Sequence, residues 1–274
     1  MREPSVRRPA VAGQFYPANP IDLERTVASY IEDAEVEPDP TRVISVIAPH
    51  AGYMYSGATA GHAFARARGK SPGRVILLGC SHRYAIETAS VFTGEAFDTP
   101  LGRFPVDLSF AVGLAKRLDS QCEEAHVQEH ALEVMLPFLK VAIGIVPIVP
   151  VLLGPMAVDW HTRVGEIIAE MADPGDFVVV STDLSHYLSE EEANMTDRRS
   201  LDAVMSKDVP VFAKGVARKS VSMCGASAVL ASMVYAREAK ADAWRLLDYR
   251  TSAAASGDYS RVVGYAAMSM ERSA

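Results

Sequence analysis

Three polar clusters carry the groups in this chain best able to do chemistry. They are Ala-Pro-His-Ala-Gly-Tyr at 48–53, Gly-Cys-Ser-His-Arg-Tyr at 79–84 and Ser-Thr-Asp-Leu-Ser-His-Tyr at 181–187. Each follows directly on a short apolar run, at 43–48, 74–79 and 177–181. Runs of that length read as strands buried on both faces. In open α/β sheets, ligands bind in the crevice beyond the C-terminal strand ends. His50, His82, Asp183 and His186 are therefore expected to converge. A lone histidine at a strand end is ordinarily a hydrogen-bonded loop residue. Three of the seven histidines at the same topological position weigh against that reading for the set.

A thiol joins the candidates. Cys224 lies in Val-Ser-Met-Cys-Gly-Ala-Ser-Ala (221–228), just before a predicted helix. A helix N-terminus stabilises a thiolate and so favours metal ligation, whereas a buried structural cysteine is the plainer alternative. Cys80, two residues from His82, is the competing thiol; directly after a buried strand, it reads as packing. Cys122 stands beside Glu123 and Glu124, which should raise its pKa and make it a poor ligand. Glu129 and Glu133, flanking His130, share one face of a predicted helix. They are either carboxylates that orient a site residue or acidic residues near a helix start. His62 and His161 fall on predicted helices and read as ordinary; His126 has no predicted place. No phosphate-binding glycine pattern and no Gly-x-Ser-x-Gly is present.

The elements that must position these groups alternate. Helices are expected at 22–34, 56–68, 106–118, 129–141 (kinked or ended by Pro137), 158–171, 190–205, 209–217 and 225–236. Besides the three runs above, strands are expected at 145–153, 244–251 and 261–269, with shorter ones within 86–97 around a turn at Gly94. Residues 1–20, with four prolines, should be mostly extended. This is the pattern of an α/β fold with a mostly parallel central sheet flanked by helices. No repeat or linker divides the chain, which reads as one domain over 1–274.

Composition narrows the function. A net charge of −7 argues against nonspecific nucleic-acid binding, which needs a positive field. The one basic cluster, Arg7 and Arg8 with Arg2 nearby, reads as a solvated N-terminus. Three cysteines in 274 residues do not make a disulfide framework. The N-terminus lacks the apolar core of a signal peptide. The longest apolar run, 141–154, is broken by Gly144, Pro147 and Pro150, so no membrane span is expected. A cytoplasmic, reducing location is the expectation.

The sequence resembles the MEMO family over nearly its whole length. The matching motifs run in the family's order: Arg-Arg-Pro-Ala-Val-Ala-Gly-Gln-Phe-Tyr-Pro (7–17), Ile-Ala-Pro-His-Ala-Gly-Tyr-Met-Tyr-Ser-Gly (47–57), Leu-Gly-Cys-Ser-His (78–82), Asp-Thr-Pro-Leu-Gly (98–102), Glu-His-Ala-Leu-Glu-Val-Met-Leu-Pro-Phe-Leu (129–139), Ser-Thr-Asp-Leu-Ser-His-Tyr (181–187) and Met-Cys-Gly (223–225). The resemblance implies a fold similar to class III extradiol dioxygenases, which bind non-haem iron(II). It implies a pocket in which His50, His82 and Cys224 ligate the metal and Asp183 and His186 line it. Those dioxygenases use two histidines and a glutamate; a thiolate in the third place shifts preference toward Cu(I), Zn(II) or thiolate-bound iron. The resemblance further implies redox chemistry and functional association with radical-SAM and AMMECR-type proteins.

The reading that results is an Fe(II)-dependent oxidoreductase, dioxygenase-like, acting on a small substrate. His186 would serve as general base or acid, and Asp183 would orient it or receive a substrate hydroxyl. Two alternatives stand beside it: a non-catalytic module that holds copper, iron or a peptide in the same pocket, and a zinc-dependent hydrolase.

Overall fold

Four of the apolar runs become adjacent strands. The computed structural model describes residues 5–120, 123–155 and 157–273. In chain order these form β1 (Val6–Arg7), α1 (Pro20–Glu32), β2 (Val43–Ala48), α2 (Tyr53–Arg66), β3 (Val75–Cys80), β4 (Ala89–Val91), β5 (Ala96–Thr99), β6 (Gly102–Pro105), α3 (Leu108–Arg117), α4 (Leu136–Ile143), β7 (Ile148–Leu153), α5 (Val158–Met171), β8 (Phe177–Ser181), β9 (His186–Leu188), α6 (Glu190–Met205), α7 (Val209–Ala217), α8 (Ala226–Glu238), β10 (Ala243–Thr251), α9 (Ala253–Ser256) and β11 (Val262–Glu271). An eight-stranded sheet runs β10-β11-β2-β8-β3-β7-β4, with β9 paired to β11. Its central strands β2, β8, β3 and β7 are parallel to one another. Antiparallel strands β11 and β4 bound that core on either side. Every residue of β2, β7 and β8 is buried, which explains why their sequences run apolar without alternation.

Helices flank this sheet. One group packs α2 on β2 and β11, with α1 and α4 behind it; the other packs α8 on β3, β8 and β2, with α5 behind it. Close helix approach depends on glycine. A Cβ at Gly61 of α2 would stand 2.1 Å from the Tyr30 carbonyl oxygen of α1, and one at Gly165 of α5 would stand 2.4 Å from that of Ala231 of α8. A small second sheet, β1-β5-β6, holds the N-terminal strand. Among the described residues no helix is long and apolar enough to cross a membrane.

The structure differs from the sequence reading at three places. Pro137 does not end a helix over 129–141; it sits in the first turn of α4, after a 3-10 turn at Glu133–Met135. A first-turn proline lacks only an N–H that would have no helical partner. The short strands β6 and β9 were not expected, since neither carries an alternating or continuous apolar pattern. Arg7 is not solvated: it is 4% exposed. Arg2 and Cys122 lie outside the described residues.

The burial of Arg7 has a specific cause. Its Nε donates to the His126 carbonyl at 3.0 Å, one guanidinium nitrogen pairs with Glu133, the other donates to the Glu129 carbonyl, and the group lies over the Phe97 ring. Glu133, itself 0% exposed, also accepts the backbone N–H groups of Ala10 (2.8 Å) and Val11 (3.1 Å) and the Tyr16 hydroxyl. One carboxylate thus fixes the extended segment 7–16 on the core. Removing it strands a buried guanidinium, so Glu133→Ala is expected to cost about 3–5 kcal/mol. Glu133→Gln should cost less, because the amide oxygen still accepts; denaturant midpoints check both.

His126 makes stability pH-dependent. It is buried, and its Nε2 donates to the Ser90 carbonyl at 3.0 Å. Burial pushes its pKa down to about 4. An unfolded histidine titrates near ~6.5. As pH falls below that value the unfolded chain takes up a proton that the folded one refuses, so stability is full above ~6.5 and lost toward 4. Between pH 7 and 5 this one group should account for about 2 kcal/mol of lost stability. His126→Gln, which keeps a donor, should flatten the pH dependence of the unfolding free energy by that amount.

Candidate metal centre

The topology brings together residues far apart in the chain. Strand β8 lies between β2 and β3, and Ala48 pairs with Ser181. His50 and Asp183 therefore leave neighbouring strand ends side by side, and Cys80 and His82 leave β3 on the other flank. Cys224 enters from the loop before α8. Its N–H donates to the Asp183 carbonyl at 3.2 Å, and the next N–H, of Gly225, donates to Thr182 Oγ1 at 2.9 Å. A Cβ at Gly225 would stand 2.6 Å from the Ser181 carbonyl oxygen, so this loop rests directly on the end of β8.

One donor atom each from His50, His82 and Cys224 lies within 4.8 Å of the others. Their orientation is fixed from behind. Ser181 Oγ donates to the Ala131 carbonyl at 2.6 Å, so it accepts from His50 Nδ1–H at 2.7 Å. That leaves His50 Nε2 facing the Cys224 sulfur at 3.3 Å. His82 Nδ1 lies 2.9 Å from Glu129 Oε1, and a carboxylate can only accept, so Nδ1 again carries the proton and Nε2 is left for the site. Metal-binding histidines are held in this way, by a partner on the ring nitrogen that does not ligate. Two neutral Nε2 atoms and a thiolate are a donor set suited to a transition-metal ion.

Buried charge dominates the electrostatics. Burial alone lowers the His50 pKa, but Cys224 and Asp183 outweigh it and pull it up to about 9. Burial likewise opposes the His82 imidazolium, and Cys224 and Glu129 prevail, raising it to about 10. Hydrogen bonding from Cys80 holds Cys224 well below the usual thiol range despite its burial, with His50 and His82 adding to the effect. Glu129 falls to about 2: burial would raise it, but the bonds from His82 and the backbone N–H groups win. Burial pushes the Asp183 carboxyl up, against the pull of His50. Without a cation, protons on the two imidazoles offset part of the negative charge of the thiolate and the carboxylates.

Each sequence candidate has a place. Asp183 is buried; it accepts the His50 N–H at 2.8 Å and donates its own N–H to the Cys224 sulfur at 3.2 Å. It thus positions both donors, and among the described residues no hydrogen bond joins it to His186. His186 lies on the exposed strand β9 with its ring beside Tyr187, outside the donor cluster. His161 and His126 bond backbone carbonyls away from the site.

Three site residues escaped the sequence reading in whole or part. Glu129 orients His82, which settles one of the two readings left open for it. His130 brings a third imidazole, its ring 4.7 Å from that of His82 and 5.4 Å from that of His50. Its Nδ1 is buried and makes no hydrogen bond among the described residues, although Glu129 Oε1 stands 3.3 Å away. Burial, then His50 and His82, push His130 down to about 4. Both residues arrive on the loop before α4 rather than at a strand end, so the topological rule misses them; the Glu-His-Ala-Leu-Glu motif was the available signal. Cys80 is not simple packing. Its sulfur lies 3.5 Å from His82 Nε2, and with Cys224, Ser81, Tyr84 and Ser227 it lines a cavity of about 320 Å³.

Comparison with known proteins identifies the family. A family model described as Memo-like protein matches residues 7–269. A MEMO1 family protein of Methanopyrus kandleri is 35% identical over 280 residues, covering 97% of this chain and 99% of that protein. One from Archaeoglobus fulgidus is 36% identical, covering 95% and 98%. Among solved structures, an uncharacterized Escherichia coli K12 protein superposes with a TM-score of 0.48 at 13% identity, covering 72% of this chain and 86% of that one. With the family match spanning the donor residues from both flanks, the chain belongs to the MEMO family.

Proposed function

We propose that this protein holds one metal ion between His50, His82 and Cys224, that the ion is iron(II), and that the site serves an oxidoreductase acting on a small substrate. The observation that carries the reading is the pinning of both Nδ1 atoms, by Ser181 and Glu129, which turns two Nε2 atoms toward one sulfur. Iron(II) held there would supply Lewis-acid and one-electron chemistry.

The chain's own residues do the rest. Asp183 sets the backbone of His50 against the Cys224 sulfur, and Glu129 fixes the His82 ring. His130, kept neutral by burial and by His50 and His82, adds a third imidazole beside the two donor rings. His186 on the exposed β9 lies outside the donor cluster. The roughly 320 Å³ cavity on the Cys80–Cys224 side gives room for a small ligand.

Anaerobic purification followed by elemental analysis tests the metal, and oxygen uptake with a panel of phenols tests the activity. Stoichiometric iron with substrate-dependent uptake is the expected result. Bound copper or zinc with no uptake would leave a metal-binding module and overturn the oxidoreductase. Cys224→Ser should weaken metal binding at least about tenfold with the fold retained, while Cys80→Ser under reducing conditions should not. Glu129→Gln, which loses the carboxylate behind His82, should lower metal affinity about 10–100-fold in a chelator competition.

A further inference from the structure

The metal reading uses one sulfur and leaves a second beside it. Cys80 ends β3 and Cys224 precedes α8, which packs on β3. Both are free thiols, half-buried, and both line the same cavity of about 320 Å³. The two sulfurs flank one imidazole: Cys80 Sγ lies 3.5 Å from His82 Nε2, and the donor atoms of His82 and Cys224 lie within 4.8 Å of each other. Cys224 accepts from the Asp183 N–H at 3.2 Å, a contact that favours an electron-rich sulfur. Two thiols that face one cavity from adjoining elements reach bonding distance by side-chain rotation when their Cα atoms lie within about 7 Å.

We propose that Cys80 and Cys224 form a peroxide-sensitive thiol pair whose oxidation to a disulfide removes Cys224 from the donor set. The co-reactant is hydrogen peroxide. The Cys224 sulfur attacks one peroxide oxygen, the O–O bond breaks, and the leaving hydroxide takes up the thiol proton as water. The resulting sulfenic acid is then attacked by the Cys80 sulfur; the S–S bond forms, the S–O bond breaks, and the hydroxyl leaves with the Cys80 proton as a second water. Two thiols lose two electrons, and one peroxide becomes two waters. A dithiol reductant reverses the change by exchange. Cys80 thereby protects Cys224, since a sulfenic acid with no partner thiol proceeds to the irreversible sulfinic acid. The disulfide is independent of the metal reading; the release of the ion rests on it.

Full-length protein, loaded anaerobically with zinc(II) as a redox-inert probe, is treated with equimolar peroxide. Peptide mass mapping and a colorimetric zinc chelator supply the readouts. The expected result is a Cys80–Cys224 cross-linked peptide, reversed by dithiothreitol, with zinc release at least about tenfold above the untreated control. Cys80→Ser should give no such cross-link and should accumulate Cys224 sulfinic acid. Parent protein that forms sulfinic acid as readily as Cys80→Ser, or that pairs either thiol with Cys122, overturns the proposal. A cross-link that leaves zinc bound upholds the thiol pair and overturns Cys224 as a metal donor.

Discussion

Two buried carboxylates four residues apart, Glu129 and Glu133, hold the site and the N-terminal segment to one another. Glu129 fixes the ring of His82, and Glu133 gathers Arg7, Tyr16 and the backbone of Ala10 and Val11. The guanidinium of Arg7 bridges the two, pairing with the Glu133 carboxylate while donating to the Glu129 carbonyl. Buried charge is tolerated only when fully paired, so each partner requires the others. Phe15, in the segment so anchored, lies with its ring 4.8 Å from that of His130. A change at the N-terminal network is therefore transmitted to the imidazoles through packed and bonded groups.

The parallel core was legible because strands buried on both faces must be apolar throughout. Runs such as 43–48 and 177–181 have almost no other fate in a chain of this length. Placement of His50, His82 and Asp183 beyond those strands followed from topology alone. The same logic overreached at His186, which follows β8 but is drawn onto β9 by pairing with β11, away from the donors. Nor could it see Glu129 and His130, because a loop before a helix offers no periodic pattern to mark where its side chains point. Arg7 shows the limit most plainly: its partners lie 119 to 126 residues away, and only the fold reveals that a basic residue near a chain end is interior.

The site's polarity is set by hydrogen bonds that run in one direction. Ser181 passes its proton to the Ala131 carbonyl and so must accept from His50. Glu129 takes hydrogen bonds from His82 and from the backbone N–H groups of His130 and Ala131. Neither partner can reverse its role without breaking a buried bond, at a cost of about 1–3 kcal/mol. The imidazole tautomers are thus decided by the scaffold and not by whatever occupies the centre. A site prepared in this way pays little reorganisation on binding a cation.

Charge balance gives that cation a preferred valence under the proposed metal reading. With both imidazoles raised above neutrality, to about 9 and about 10, their two protons face the Cys224 thiolate, the Glu129 carboxylate and the Asp183 carboxyl group. Replacing those two protons by one divalent ion leaves the buried net charge unchanged. A monovalent ion would leave it one unit more negative, a cost that grows with burial of the charge. Softness of the sulfur alone would favour copper(I), but the two imidazolium protons favour a dication such as iron(II) or zinc(II). On the His50 and Asp183 side, where both residues are almost wholly buried, unbalanced charge is screened least, so charge balance weighs most there; on the half-buried Cys224 side the cavity leaves the softness of the sulfur its full effect.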